Sequence, residues 1–223
     1  MPPDAAELEM IYQQRFAKNH VYREQVWQIL IRDFFGPLLP SNGVVLDLGC
    51  GYGEFINNIT AQTKYGMDLN PATGRLLGKD VQFLRQDCST TWPLQENSLD
   101  VVFTSNFFEH LPDKSTLGAT LVQAMRCLKP GGKLVAMGPN IKYLPGIYWN
   151  FWDHFLPLTE TSLCEGLTTH GFKVTLCFDR FLPYTLARAR RYPLFFLRLY
   201  LRLKPAWRIF GKQFLIVAEK PRR

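Results

Sequence analysis

No two of the five cysteines (50, 88, 127, 164 and 177) form a CxxC pair, and the chain has only four histidines. Thiols dispersed in this way fit neither a disulfide framework nor a zinc site, and no metal is expected. They read as reduced, mostly packed side chains of a cytoplasmic protein. The first ten residues, MPPDAAELEM, lack a basic stretch followed by an apolar core, so no secretory signal is expected. Internal repeats and low-complexity stretches are also missing, which removes solenoids and compositionally disordered chains.

Acidic residues are nearly absent from the C-terminal quarter. Residues 180–223 hold twelve Lys and Arg against Glu219 alone, a balance of +11, and the first 179 residues carry −4, which together make the overall +7. A mildly acidic body thus carries a basic end. At 223 residues the chain suits one well-buried domain with an appendage, and a hydrophobic content of 47% is ordinary for a globular protein.

The stretch VVLDLGCGYGEF, residues 44–55, is the most informative segment present. An apolar run ends in Asp47 and breaks into alternating glycines, Gly49, Gly51 and Gly53. That order reads as buried strand, tight turn and helix start, the layout that brings a nucleotide-like ligand against bare backbone. Nineteen residues after Gly49, a second short apolar segment ends in Asp68, whose carboxylate suits a ribose diol. A third, VQFLRQD, ends in Asp87 and is followed by Cys88, a place suited to an adenine amino group.

Further along, strands are expected near 44–48, 64–68, 81–86, 99–105 and 133–137, with helices at 53–61, 72–78 and 114–128. A helix in TETSLCEGLTTHGF is followed by a sixth strand, FKVTLCFDRF, and by a seventh, QFLIVAEK, expected to run antiparallel beside it. Residues 5–36 carry helical spacing, with Leu8, Ile11, Tyr12, Phe16, Val26, Trp27, Leu30 and Ile31 as candidate buried positions. Strands alternating with helices imply a doubly wound α/β fold around a mostly parallel seven-stranded sheet. The domain is placed at 41–223, with a helical lid at 1–40 and a basic helical insertion at 184–211.

These segments resemble the class I S-adenosylmethionine-dependent methyltransferases over about residues 41–180. The likeness rests on LDLGCGYGEF, Asp68, Asp87, SLDVVFTSNFFEHLPD and RCLKPGGKLVAMGPN. Glycines spaced GxGxG, rather than the GxGxxG of nicotinamide dehydrogenases, agree with it. So does Glu54, which would repel a pyrophosphate and tolerate a sulfonium. The resemblance implies S-adenosylmethionine as cofactor, held around Asp47, Gly49, Cys50, Gly51, Gly53, Asp68, Leu69, Asp87, Cys88 and Asn106. More narrowly, PNIKYLPGIYWNFWDHFLPLT, DRFLPYT and LYLRLKPAWRIFGKQFLIVAEK resemble methyltransferases of bacterial glycan and surface-polysaccharide assembly. This implies O-methylation of a sugar hydroxyl on a glycan or lipid-linked saccharide. A small-molecule O- or N-methyltransferase, a nicotinamide oxidoreductase and a non-catalytic cofactor-binding scaffold are the alternatives.

Methyl transfer to a hydroxyl requires alignment and removal of a proton. His110 and His154 are the candidate bases, with Asp153 beside the latter in sequence; each histidine reads equally as a structural side chain. Tyr143, Tyr148, Trp149, Phe151, Trp152 and Phe155 fall within thirteen residues, a density that suits either a sugar face or a core. Tyr12, Arg15, Asn140, Tyr143, Tyr148 and Trp149 are the candidate acceptor contacts. In the 184–211 insertion, Arg191, Arg198 and Arg202 project to one side of an otherwise apolar helix, a run too short and too interrupted to span a bilayer. It reads as a membrane-interface helix, placing the protein at the inner face of the membrane, or as an arm on its own domain or a second subunit. No recognised RNA-binding motif is present, and no nucleic-acid partner is expected.

Overall fold

Both faces of the central strands are apolar, and this fixes the architecture. In β1 (Val44–Leu48) and β4 (Leu99–Ser105), Val45 and Val101 point to one side of the sheet, Leu46 and Val102 to the other. A strand alternates its side chains, so a continuous apolar run demands cover on both faces. The computed structural model describes residue 10, residues 20–184 and residues 192–222. One face lies under α2 (Lys114–Cys127) and α3 (Glu160–Thr169), through Leu117, Leu121, Ala124, Leu163 and Leu167. The other lies under α1 (His20–Leu30), α4 (Leu194–Arg202) and α5 (Lys204–Phe210), through Val26, Ile29, Leu30, Leu201 and Trp207. Each Leu, Ile or Val among them, fully buried, contributes about 1.5–3 kcal/mol.

The remaining strands are β2 (Thr63–Met67), β3 (Val81–Leu84), β5 (Leu128–Pro139), β6 (Lys173–Phe178) and β7 (Gln213–Glu219). Their order is β3-β2-β1-β4-β5-β7-β6, parallel from β3 to β5, with β7 antiparallel to both β5 and β6. The chain steps outward from β1 to β2 and β3, then returns to β4. A crevice therefore opens at the carboxyl ends of β1 and β4, where ligands bind in such sheets.

Two expected helices are not α-helices. Residues 53–61 contain only a 3-10 turn, Ile56–Asn58, and residues 72–78 only Pro71–Arg75. Asn57 bonds Leu76 O and Gly78 N, and Asn58 bonds Glu54 O, so side-chain amides take backbone partners that a helix needs. Strand five is longer than expected because it starts at Leu128, directly after α2. Helix α1 continues as a π-helical turn, Ile31–Phe35. The widened turn lets consecutive aromatics pack: Phe35 has no exposure, and Phe34 lies 4.5 Å from the Phe181 ring. Leu8, Ile11, Tyr12, Arg15, Phe16 and Arg191 lie outside the described residues.

In α4 the inner face, Leu194, Leu197, Tyr200 and Leu201, meets the core. The outer face leaves Phe195, Phe196, Leu199 and Leu203 exposed, continued by Ile209 and Phe210 of α5. Among the described residues, no helix is long and apolar enough to cross a membrane.

Candidate cofactor and acceptor site

The turn after β1 is held open by conformations that only glycine adopts freely. Gly49, Gly51 and Gly53 have φ of +71°, +50° and +75°. A β-carbon on Gly49 would stand 2.2 Å from the Phe107 ring. Gly49 N and Cys50 N both donate to Met67 O, at 2.9 and 3.1 Å, tying the turn to the end of β2. Just beyond, the buried Asp68 carboxylate accepts from Gly51 N at 2.9 Å and from Asn70 N at 2.8 Å. A carboxylate offers about four acceptor positions, so capacity remains for a diol.

Buried carboxyls concentrate here. Burial, then the neighbouring Asp68 and Glu54, lifts the Asp47 pKa well above its ordinary 3.8. Burial also raises Asp68, against the opposing N–H groups of Asn70 and Gly51. Each carboxyl resists ionisation until a positive charge arrives. An open main-chain cradle, spare acceptor capacity at Asp68 and a charge environment favouring a cation together fit S-adenosylmethionine. Glu54, which follows the third glycine, already has a partner within the chain. It pairs with Arg23 Nε of α1 at 2.8 Å, while the Tyr52 ring lies 6.2 Å from His20.

The other expected cofactor residues divide between main-chain and side-chain positions. The Cys50 thiol is buried, and a β-carbon on Gly66 would stand 3.0 Å from its sulfur, so its place at the turn is a main-chain one. Cys88 likewise turns its thiol into the core beside Thr120 Oγ1, at 3.2 Å, and burial pushes its pKa up to about 11. Asp87 is exposed and accepts from Ser89 N and Oγ at 2.8 and 2.7 Å. Leu69 is half exposed at the β2 tip. Asn106 ends β4 in a left-handed conformation, φ +50°, with its N–H on Met137 O.

At the same edge a second group of side chains gathers. A short turn, Phe108–His110, follows β4. The loop after β5 docks on it, Phe155 N and Leu156 N both donating to Glu109 O at 2.9 and 3.0 Å. That docking brings His110 Nδ1 to 2.8 Å from Asp153 O and 3.2 Å from Asp153 Oδ2. The His110 and His154 rings stand 5.0 Å apart, edge to face, and Phe151 stacks on His154 at 4.8 Å. His110, Asp153 and His154 thus meet although 43 or more residues separate His110 from the other two in sequence. Glu109, which the sequence reading passed over, is the fourth member. It is buried, and burial lifts its pKa from 4.5 to about 7 against the opposing influence of His110. Burial works against the charged form of His110, but Asp153 and Glu109 outweigh it and raise its pKa. The charge of His110 also lowers Asp68, which places this group within electrostatic reach of the cofactor crevice.

Of the expected acceptor contacts, Asn140 and Tyr143 are engaged by other parts of the chain, and Tyr148 packs on His154. Asn140 is fully buried and donates to Glu160 Oε2 at 2.6 Å and Asp179 O at 3.0 Å, while its oxygen receives Lys142 N. It fastens β5 to α3 and has no amide group to spare for an acceptor. Tyr143 donates to Asp179 Oδ2 beneath the Arg180 guanidinium. Tyr148 is buried with its hydroxyl on Leu156 O at 2.6 Å and its ring 4.7 Å from His154, so it shapes the loop from inside. Trp149 and Trp152 are exposed. Tyr12 and Arg15 fall outside the described residues.

Comparison with known proteins agrees with this geometry. A 2-methyl-6-phytyl-1,4-hydroquinone methyltransferase of Synechocystis is 31% identical over 52% of this chain. A probable S-adenosylmethionine-dependent methyltransferase of Mycolicibacterium smegmatis is 32% identical over 58%. The matches span 38% and 52% of those relatives' own lengths. Among solved structures, an Archaeoglobus fulgidus SAM-dependent methyltransferase superposes with a TM-score of 0.69 at 22% identity, covering 95% of this chain and 99% of that one. The cyclase SpnF superposes at 0.61 and 18% identity, over 90% and 81% of the two chains, so the likeness carries the fold alone. Residues 19–176 match the model of a methyltransferase domain, and the chain belongs to that S-adenosylmethionine-dependent family.

Proposed function

We propose that the protein transfers a methyl group from S-adenosylmethionine to an acceptor hydroxyl, at the group formed by Glu109, His110, Asp153 and His154. The observation that supports this reading is the cluster of two histidines and two carboxylates formed by the segments after β4 and β5, of which His110 acts electrostatically on Asp68. When bound, the cofactor supplies an electrophilic methyl on sulfonium. The side-chain group would take the proton that the acceptor hydroxyl gives up when the methyl group replaces it. The chain's own work is alignment and proton removal. Helix α1 acts as a cover, since Arg23 reaches Glu54 and His20 lies by Tyr52.

The acceptor is a saccharide carried on a membrane lipid. Trp149 and Trp152, exposed on the same loop that carries His154, offer flat faces to a sugar ring. The apolar ridge of Phe195, Phe196, Leu199, Leu203, Ile209 and Phe210, flanked by Arg198, Arg202, Lys204 and Arg208, suits an anionic lipid surface. This makes residues 192–211 of the 184–211 insertion, whose residues 185–191 lie outside the described ones, a membrane-facing arm and the protein a peripheral one on the cytoplasmic side. The test is incubation with methyl-labelled S-adenosylmethionine and lipid-linked saccharides, followed by mass spectrometry. A product heavier by one CH₂ and carrying label on oxygen supports the reading. Label on nitrogen or on a water-soluble small molecule replaces the acceptor.

A further inference from the structure

We propose that Glu109, His110 and His154 bind one divalent transition-metal ion, with Asp153 orienting His110 as a ligand. One donor atom from each of the three residues lies within 4.8 Å of the others. Donors that share an ion at about 2.1 Å stand about 3–4 Å apart, so side-chain adjustments of about 1 Å close the site. Two imidazoles and one carboxylate form a set suited to zinc, iron or manganese rather than to the all-oxygen shell of calcium.

The surroundings support coordination. Asp153 engages His110 at Nδ1 through both its carbonyl and its carboxylate, which leaves Nε2 as the donor. A carboxylate holding the far nitrogen of a ligating histidine is a recurrent support of metal centres. The Glu109 carboxylate is buried and, among the described residues, pairs with no Lys or Arg. A cation is the partner that such a buried carboxylate calls for. His154 packs against the Phe151 and Tyr148 rings, at 4.8 and 4.7 Å.

This inference deepens the proposed function. An ion here acts as a Lewis acid toward the acceptor hydroxyl and lowers its pKa, so that in the metal-loaded form the hydroxyl proton leaves to solvent water and His110 and His154 serve as ligands. The experiment titrates Co²⁺ and Zn²⁺ into the full chain after chelator treatment, following visible absorption for Co²⁺ and heat for Zn²⁺. One equivalent is expected, with Co²⁺ bands lacking thiolate charge transfer. Glu109→Gln and His154→Ala each lower affinity more than ten-fold, and Asp153→Asn lowers it about 10- to 100-fold. His170→Ala, at the end of α3, changes nothing. Retained S-adenosylhomocysteine binding shows that each variant is folded. Absence of stoichiometric binding, equal binding by wild type and variants, or a thiolate signature from Cys164 and Cys177 overturns the site. Methyl transfer by chelator-treated protein with no metal uptake would overturn the ion and leave the proposed activity standing.

Discussion

Gly51 donates its backbone N–H to the Asp68 carboxylate across 2.9 Å, so the glycine turn and the tip of β2 form one unit. Replacing Asp68 with Asn removes the charge and weakens hydrogen bonds of about 1.5–3 kcal/mol to a bound diol. S-adenosylhomocysteine affinity is expected to fall about 10- to 100-fold in calorimetry. Undiminished affinity would remove Asp68 from the cofactor site.

Gly49→Ala adds a β-carbon 2.2 Å from the Phe107 ring at a φ of +71°. Strain and displacement of the ring together cost about 1–3 kcal/mol. A lowered unfolding midpoint in denaturant checks this; an unchanged midpoint would mean that Phe107 yields without cost.

Asp47 and Asp68 titrate above 3.8 in the folded chain. The unfolded chain therefore releases these protons first, and the stability that the protonated carboxyls confer is lost as pH rises from about 4 through their folded pKa values. A bound sulfonium opposes that loss. S-adenosylmethionine, but not the uncharged-sulfur homocysteine product, is expected to bind more tightly and to raise the melting temperature further as pH climbs through this range. Parallel pH profiles for the two ligands would contradict the charge argument.

Arg23→Ala strands the buried Glu54 carboxylate, with an expected cost of about 1–3 kcal/mol. Adding Glu54→Gln should recover most of it, because the unpaired charge goes too. A double-mutant cycle in chemical denaturation gives the coupling, and strict additivity would show that the pair contributes nothing.

What the sequence made legible was whatever depends on local periodicity and on glycine. Val44–Leu48, Leu99–Ser105 and Gln213–Glu219 stand where short apolar runs put them. Gly49, Gly51 and Gly53 all needed positive φ. Direction and long-range pairing were not legible. Asn140 ends its strand as expected yet points at Glu160, since a strand end alone does not say which way a side chain turns. Glu109 sits in the apolar run NFFEHL, where it resembles a loop carboxylate; in the fold it is buried, with residues 155 and 156 docked on its carbonyl. Asn57 and Asn58 were the missed warning against a helix at 53–61.

Changing Arg198 and Arg202 to Gln should weaken attachment to anionic vesicles by about 2 kcal/mol, near 1 kcal/mol per basic side chain. Co-sedimentation at rising salt measures it. Equal binding of wild type and variant, or none by either, would remove the arm from the membrane.

The sharpest test is an equilibrium titration of S-adenosylmethionine and of NADP⁺ into the wild-type chain and into Gly49→Ala/Asp68→Asn. One equivalent of S-adenosylmethionine bound by wild type, lost in the double variant, and no uptake of NADP⁺ is the predicted result. A folded wild-type chain that ignores S-adenosylmethionine, or a double variant that binds it equally well, would contradict the assignment of the crevice.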